Sequence, residues 1–325
     1  MENFKIVTYS TKYESMHLKF ASKYWKKKRR LDSNYIKWKF RLNDKKNKTF
    51  LLAIGNNKVV GQLGLVLCEY KYKNVIYSGQ WCCDLMVDID YRGKGVANML
   101  YEYAHELKDV SFGSDPSTAA FNSMSKIGYS QINSSWKILF PITIGEIFKL
   151  KSINNDLLDS IINPFVYIFK FFTKKKYNEI SKEEFLNNSI KRISDGLYYN
   201  DSFLDWRLNK FKGFYPKVLF FKDIENSFAG YYSGRTFYIV NYDLNSTLDY
   251  IRVVSFIINK YNHENILRVR FFCSNDKISN SLRFFGFIKF RTPTRIIFFT
   301  KLLKLKNMLL RQRFNYSYLD SDECI

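Results

Sequence analysis

Two short runs of Leu, Val and Ile, over residues 49–55 and 59–68, flank the turn Gly55-Asn56-Asn57 and predict a β-hairpin. A further apolar run within residues 76–89 predicts another strand, which ends at the hexapeptide Arg92-Gly93-Lys94-Gly95-Val96-Ala97. The spacing then changes from two to nearly four: Val96, Met99, Leu100, Tyr103 and Ala104 share one face of a helix over 96–107. A short strand over 110–112 follows. Asp115-Pro116 is a helix-start signal for residues 117–126, and Gly128 stands in the position that closes that helix. A strand over 136–140 completes a first α/β unit.

The pattern loosens over the next stretch, where Phe165-Val166-Tyr167-Ile168-Phe169-Lys170-Phe171-Phe172 precedes Lys174-Lys175-Lys176. The chain then echoes itself. Tyr35-Ile36-Lys37-Trp38-Lys39-Phe40-Arg41-Leu42-Asn43 returns as Phe203-Leu204-Asp205-Trp206-Arg207-Leu208-Asn209, followed by apolar runs over 218–221 and 228–232. Asn122-Ser123-Met124-Ser125-Lys126-Ile127-Gly128-Tyr129 returns as Asn280-Ser281-Leu282-Arg283-Phe284-Phe285-Gly286-Phe287. Two echoes in the same order predict a duplicated domain. The expected divisions are a first domain over 1–145, a helical connector over 146–195, a second domain over 196–300 and a basic tail over 301–325. In the second copy a strand over 237–243 and a helix over 248–260 are joined by Leu244-Asn245-Ser246-Thr247, which has no glycine and cannot form the same loop.

The chain has 325 residues, enough for two domains with real cores, and 46% hydrophobic content places it among globular proteins. Its 52 Lys and Arg against 30 Asp and Glu give a formal charge of +22, which favours phosphates, acidic glycans, nucleic acid or an anionic membrane as partners. The abundance of Lys, Asn, Ile, Tyr and Phe together also fits a drift in composition with no polyanionic partner. Cys68, Cys82, Cys83, Cys273 and Cys324 are odd in number and badly spaced for a disulfide framework or a metal site, so no metal is expected and the compartment reads as reducing. Cys82 and Cys83 read as small buried residues. No apolar core of a signal peptide follows Met1, and no run reaches the ~18 apolar residues of a membrane span. The predicted location is cytoplasmic, with peripheral contact at the inner face of a membrane as the alternative that the charge admits.

The glycine-basic hexapeptide carries the candidate chemistry. Gly93 and Gly95 let backbone N–H groups converge at a helix N-terminus, where the helix dipole also favours an anion. Arg92 and Lys94 add cationic donors, Val96 opens the helix, and Ala97 keeps its first turn small. A pyrophosphate fits such a cradle. Asp90-Tyr91-Arg92-Gly93-Lys94-Gly95-Val96-Ala97 resembles the acetyl-CoA signature of the GNAT acetyltransferase superfamily: Arg or Gln, two residues, Gly, one residue, then Gly or Ala. Lys126-Ile127-Gly128-Tyr129 also falls where that family places such a segment, and the resemblance spans roughly residues 45–140.

The resemblance implies an α/β (α+β) chain of two GNAT-like domains, each a twisted mixed sheet flanked by helices, with the cofactor grip lost in the second. It implies acetyl-CoA or another acyl-CoA as donor and direct attack of a neutral amine on the thioester. Backbone N–H groups over Leu85, Met86 and Val87 would meet the oxyanion. By strand alternation Asp84 and Asp88 share a face, and Asp84 is the preferred base. The family often carries a tyrosine as general acid where this chain has Met124; Tyr129, Tyr91 or solvent would then serve, or the thiolate would leave unassisted. His17, His105 and His263 read as surface or capping residues.

Trp206, Arg207, Tyr231, Tyr232 and Arg235 are the expected acceptor-binding residues, since aromatic faces and guanidinium groups suit sugar rings and phosphates. The predicted activity is N-acylation of a small primary amine, an amino sugar, free or nucleotide- or lipid-linked. One alternative is a transferase that uses aminoacyl-tRNA, as tandem GNAT-like relatives do. Another is a non-catalytic membrane-surface module, since 165–172 with its lysines and the Leu-interleaved 301–313 both resemble interfacial segments.

Overall fold

The computed structural model describes residues 3–25, 31–43, 48–132, 134–153, 156–170, 176–189, 196–209, 217–261, 266–311, 314 and 316–318. His263, Cys324, Phe171, Phe172, Lys174, Lys175 and Arg313 lie outside the described residues. The chain divides into two compact units.

The first unit is built on a sheet of β1 (Lys5–Thr8), β2 (Phe50–Gly55), β3 (Lys58–Tyr72), β4 (Val75–Val87), β5 (Val110–Ser114) and β6 (Ser130–Ile132). The hairpin turn between β2 and β3 places Asn56 and Asn57 at φ 49° and 55°. That left-handed pair matches the twist of the flanking strands, and Asn tolerates it. Lys73 and Asn74, at φ 46° and 64°, repeat the device between β3 and β4. Helices α1 (Glu14–Ala21), α2 (Ser33–Lys39), α3 (Val96–His105) and α4 (Thr118–Lys126) belong to the same unit. The face of α3 carrying Val96, Leu100, Tyr101 and Ala104 is buried with Leu51, Val60, Leu63 and Leu65 of the sheet. Gly61 makes this approach possible: a Cβ there would stand 2.8 Å from the Val96 side chain.

The mixed α/β class with helix-flanked mixed sheets is as the sequence predicts, but the divisions fall elsewhere. β7 (Trp136–Pro141), which the sequence pattern assigns to the first domain, pairs in the second unit's sheet with β13 (Arg268–Cys273) and β14 (Ile288–Lys289). Conversely β15 (Ile296–Phe299), which falls inside the expected second domain over 196–300, lies between β5 and β6 of the first sheet. β9 (Gly196–Tyr198) pairs with β3. The basic tail begins with a helix, α11 (Leu303–Arg311), that belongs to the first unit and buries Leu305, Met308 and Leu309. Its apolar face is therefore spent on packing. A six-residue apolar run satisfies the hydrogen bonds of either sheet equally well, so its partner is set by non-local geometry that periodicity does not carry.

The second unit's sheet runs β14, β7, β13, β12 (Thr236–Asp243), β11 (Ser227–Ser233), β10 (Leu219–Lys222) and β8 (Asn178–Glu179). Around it lie α5 (Ile144–Lys149), α6 (Phe165–Lys170), α7 (Lys182–Ser189), α8 (Asp201–Asn209), α9 (Thr247–Lys260) and α10 (Asp276–Leu282). The segment read as a connector thus supplies an edge strand and three helices. α9 crosses between the parallel strands β12 and β13. Its N-terminus is closed by a capping box in which Ser246 Oγ accepts from Asp249 N–H and the Asp249 carboxylate accepts from Ser246 N–H at 3.0 Å. A carboxylate already occupies the place of an anion there.

His17 and His105 are buried, against the surface or capping role read from sequence. His17 Nε2 lies 2.9 Å from Gln62 Oε1, and its ring packs edge-on against Tyr9 and Phe50. The His105 ring stacks on Phe299 at 3.6 Å. Burial first, and the Lys301 ammonium second, push His105 down to about 4; burial lowers His17 as well. Since the unfolded imidazole titrates near ~6.5, the unfolded chain takes up the proton first, and stability is lost as pH falls from ~6.5 towards 4. His105→Phe, which keeps the stack and removes the titration, is expected to lessen the loss of unfolding free energy between pH 7 and 4.5, measured by urea denaturation, by about 2 kcal/mol relative to wild type.

Candidate active site

Pairing between the parallel strands β4 and β5 is confined to Gly79, Gln80 and Trp81 opposite Val110, Ser111 and Phe112. Beyond Trp81 the strands part, and among the described residues β4 continues to Val87 paired with β3 alone. Its end is bent by a β-bulge: Gln62 faces Met86 and Gly64 faces Cys83, so Asp84 and Leu85 together oppose Leu63. Asp84 sits at φ 51°, a left-handed conformation that non-glycine residues seldom adopt.

The bulge breaks the alternation on which a shared face for Asp84 and Asp88 rested. The Asp84 carboxylate accepts from Lys39 Nζ at 2.7 Å, and both side chains are buried. Its carbonyl accepts from Gln62 Nε2 at 3.1 Å. Asp88 caps the short 3-10 turn over Ile89–Tyr91 by accepting from Asp90 N–H, and it pairs with Lys23 at 3.2 Å. Burial works to raise the Asp88 carboxyl, but the bonds from Lys23 and Asp90 N–H and the Lys23 charge outweigh it and hold the group low. These partners give both carboxylates structural work.

The hexapeptide forms the cradle that the sequence predicts. Gly93 and Gly95 have φ of 78° and 85°, and Gly95 is the N-cap of α3. A Cβ on either glycine would meet nothing within 4 Å, so open space and not a packed neighbour lies over them. The first turn of α3 closes with Met99 N–H to Gly95 carbonyl at 3.1 Å. Among the described residues, nothing accepts from the N–H groups of Gly93, Gly95, Val96, Ala97 or Asn98. Five donors and a helix N-terminus point at one volume. Arg92 Nε donates to the Val87 carbonyl at 3.3 Å, which ties the loop to the end of β4. Lys94 Nζ sits 4.9 Å over the Tyr91 ring.

That volume is a cavity of about 620 Å³. One wall is Leu85, Met86 and Val87 with the loop and the first turn of α3; the other is Ser117, Ala119, Ala120, Ser123 and Lys126 of α4 and its cap, and Tyr24 and Tyr91 complete it. The lining holds the cations Arg92 and Lys126 and no carboxylate, a charge balance suited to a diphosphate. A CoA diphosphate therefore fits the residues present: the free N–H groups and Arg92 would hold it, and the acyl thioester it delivers would supply the electrophile.

Of the residues predicted from sequence, Leu85, Met86, Val87, Arg92, Gly93, Gly95, Val96 and Ala97 line this cavity, whereas Lys94, Asp84 and Asp88 do not. Sequence reasoning missed Tyr24, Asn98, Ser117, Ala119, Ala120 and Ser123; the small-residue run in 117–123 was the available signal. Met124 is buried against Gly113 and is a packing residue. Tyr129 is buried with its hydroxyl 3.5 Å from Cys82 Sγ and lies outside the lining. Burial pushes the Cys82 thiol up to about 12, which excludes a thiolate nucleophile there at neutral pH.

The expected acceptor wall fares differently. Trp206, Arg207 and Tyr231 are buried, Arg207 over the Trp206 ring and Tyr231 stacked on Tyr238. Tyr232 is half-buried against Phe237 and Tyr261. Only Arg235 of the five is exposed, and it lies 3.7 Å from Asp159. Among the described residues no group of His, Cys, Asp and Glu could hold a metal ion, and no helix is long and apolar enough to cross a membrane.

No protein-family model matches the sequence, and no curated protein matches it. Solved structures do. A GCN5-related N-acetyltransferase from Kribbella flavida superposes with a TM-score of 0.61 at 10% identity, covering 92% of this chain and 72% of that one. A second, from Anabaena variabilis, gives 0.58 at 15% identity over 91% and 72%. The N-myristoyltransferase of Saccharomyces cerevisiae with bound myristoyl-CoA gives 0.55 at 9% identity over 92% and 83%. The parted parallel strands, the glycine loop between strand and helix, and these likenesses over nine-tenths of the chain agree: this chain has the fold of the GCN5-related N-acetyltransferases.

Proposed function

We propose that the protein transfers an acyl group from an acyl-CoA to a primary amine. The observation that carries this reading is the cradle itself: five N–H groups without a partner among the described residues, behind two left-handed glycines, opening on a carboxylate-free cavity beside the end of a strand that has left its neighbour. The bound myristoyl-CoA of one structural neighbour supports an acyl-CoA donor. In the reaction the amine nitrogen attacks the thioester carbonyl, the C–N bond forms as the C–S bond breaks, CoA leaves as the thiolate, and the nitrogen loses a proton. Backbone N–H groups over 85–87 would stabilise the oxyanion. With no carboxylate or imidazole in the lining, water carries the proton away, and a thiol with an ordinary pKa of ~8.5 leaves without a dedicated acid.

The acceptor class we put first is an amino sugar, free or nucleotide- or lipid-linked. Arg235 is the residue of the expected wall that stays exposed, and a guanidinium suits a phosphosugar. An intact diphosphate cradle favours CoA over aminoacyl-tRNA as donor. The test is release of CoA thiol from acetyl-CoA and longer acyl-CoAs with a panel of amino sugars, alkyl amines and N-terminal peptides. Arg92→Ala and Lys126→Ala are each expected to raise KM for the acyl-CoA by ~10-fold or more, with kcat little changed, the worth of one charge-assisted contact to phosphate. Thiol release with no amine in the panel, or transfer only from aminoacyl-tRNA, would overturn the reading.

A further inference from the structure

The second unit carries an apolar surface that the acyl-transfer reading leaves unused. Within residues 157–167, Leu157 is 78% exposed and Tyr167 56%, with Ile161, Ile162 and Phe165 also exposed. Phe165 lies against the backbone of Gly286, where a Cβ would stand 2.7 Å from its ring, and two residues before that glycine Phe284 is 85% exposed. These six side chains therefore belong to two adjoining segments of one unit. Scattered exposed apolar residues are ordinary, but a cluster of large ones marks a contact surface.

Several polar groups of the same segments are bonded internally, although Asp159 Oδ1 is buried without a hydrogen bond among the described residues. Asn163 is buried, donates from Nδ2 to the Pro141 carbonyl at 3.0 Å, and accepts from Phe165 N–H at 3.0 Å. Ser160 Oγ donates to the Leu157 carbonyl at 2.6 Å. Asp159, the acid between Leu157 and Tyr167, is neutralised by Lys149 at 2.6 Å. The side chains turned outward are thus apolar, while the cations Lys151, Lys176 and Arg283 are exposed in the flanking chain, Arg283 directly before Phe284. An apolar tip with satisfied backbone and a basic border meets the demands of a lipid interface, where an unmade hydrogen bond is costly and anionic headgroups attract Lys and Arg. The chain's charge of +22 complements the same partner.

We infer that this face, centred on Leu157 and Phe284, docks the protein on an anionic membrane surface. Insertion of the apolar tip supplies the specificity of the contact, and the positive charge supplies the attraction.

The experiment is co-sedimentation of the full chain with vesicles of equal parts phosphatidylcholine and phosphatidylglycerol, against vesicles of phosphatidylcholine alone. The expected result is binding to the anionic vesicles and ~10-fold or greater weakening by Leu157→Ser with Phe284→Ser, two exposed positions whose replacement leaves acyl-CoA binding unchanged. A second measurement does not depend on that double variant. Phe284→Trp should add fluorescence that shifts to the blue on the anionic vesicles and is quenched by brominated lipid. Equal binding to both vesicle types, full binding by the double variant, or no blue shift of the added indole emission would overturn the inference. So would self-association of the wild type that the same substitutions abolish, which would assign the face to a second copy.

Discussion

Gly95→Glu should abolish measurable acyl-CoA binding, a loss of ~100-fold or more, while leaving the protein folded. Two effects add. At φ 85° a side chain strains the N-cap of α3 by ~1–2 kcal/mol, and the new carboxylate enters the anion site in front of five free N–H groups. No packed neighbour is disturbed, since nothing lies within 4 Å of the Cβ position. Gly95→Ala isolates the strain and should cost ~10-fold; Gly95→Asn, which tolerates the left-handed region, should cost less of the loop geometry but fill part of the cradle. Isothermal titration with acetyl-CoA, longer acyl-CoAs and free CoA measures all three. Wild-type affinity in Gly95→Glu would mean that the loop is a structural turn and that the donor binds elsewhere. The second unit offers the natural contrast: its helix α9 begins at Ser246 with the Asp249 carboxylate already bonded there, and no anion should compete for it.

The second large effect is expected at the bulge. Lys39 and Asp84 form a buried ion pair whose side chains are 2% and 8% exposed. Removing one partner takes the opposite charge away from the other in the interior, so Lys39→Met should destabilise the first unit by ~3–5 kcal/mol, and Asp84→Asn by a similar amount. The double variant Lys39→Met with Asp84→Asn should recover most of that loss, because Asn keeps the left-handed conformation and no stranded charge remains. Urea denaturation checks the cycle. The same set separates positioning from proton transfer. If Asp84 only holds the bulge that aims residues 85–87 at the cavity, kcat returns with stability in the double variant and the pH–rate profile keeps its shape. If Asp84 is the base, kcat stays low in every variant that lacks it, whatever the stability.

The geometry of the glycine loop was legible in the sequence because it is local. The left-handed φ of Gly93 and Gly95, the N–H groups at the start of α3 and the neighbouring Arg92 lie within a few residues of one another, so composition and spacing determine them. The same holds for the amphipathic face of α3 and for the Asn56-Asn57 turn. What the sequence could not determine is what depends on a partner far along the chain. Strand alternation put Asp84 and Asp88 together because it assumes an unbroken pleat, and the bulge opposite Leu63 removed that assumption. Aromatic and guanidinium chemistry drew Trp206, Arg207 and Tyr231 into an acceptor wall, yet burial, a property of the packed unit, withdrew them. The run at Trp136–Pro141 reads as a strand from sequence, and Ile296–Phe299 falls inside the expected second domain without a strand being read there. Which sheet each joins was decided by tertiary structure alone, since the hydrogen-bonding edge of a strand is the same for every sequence and only the assembled sheet selects the one that fits.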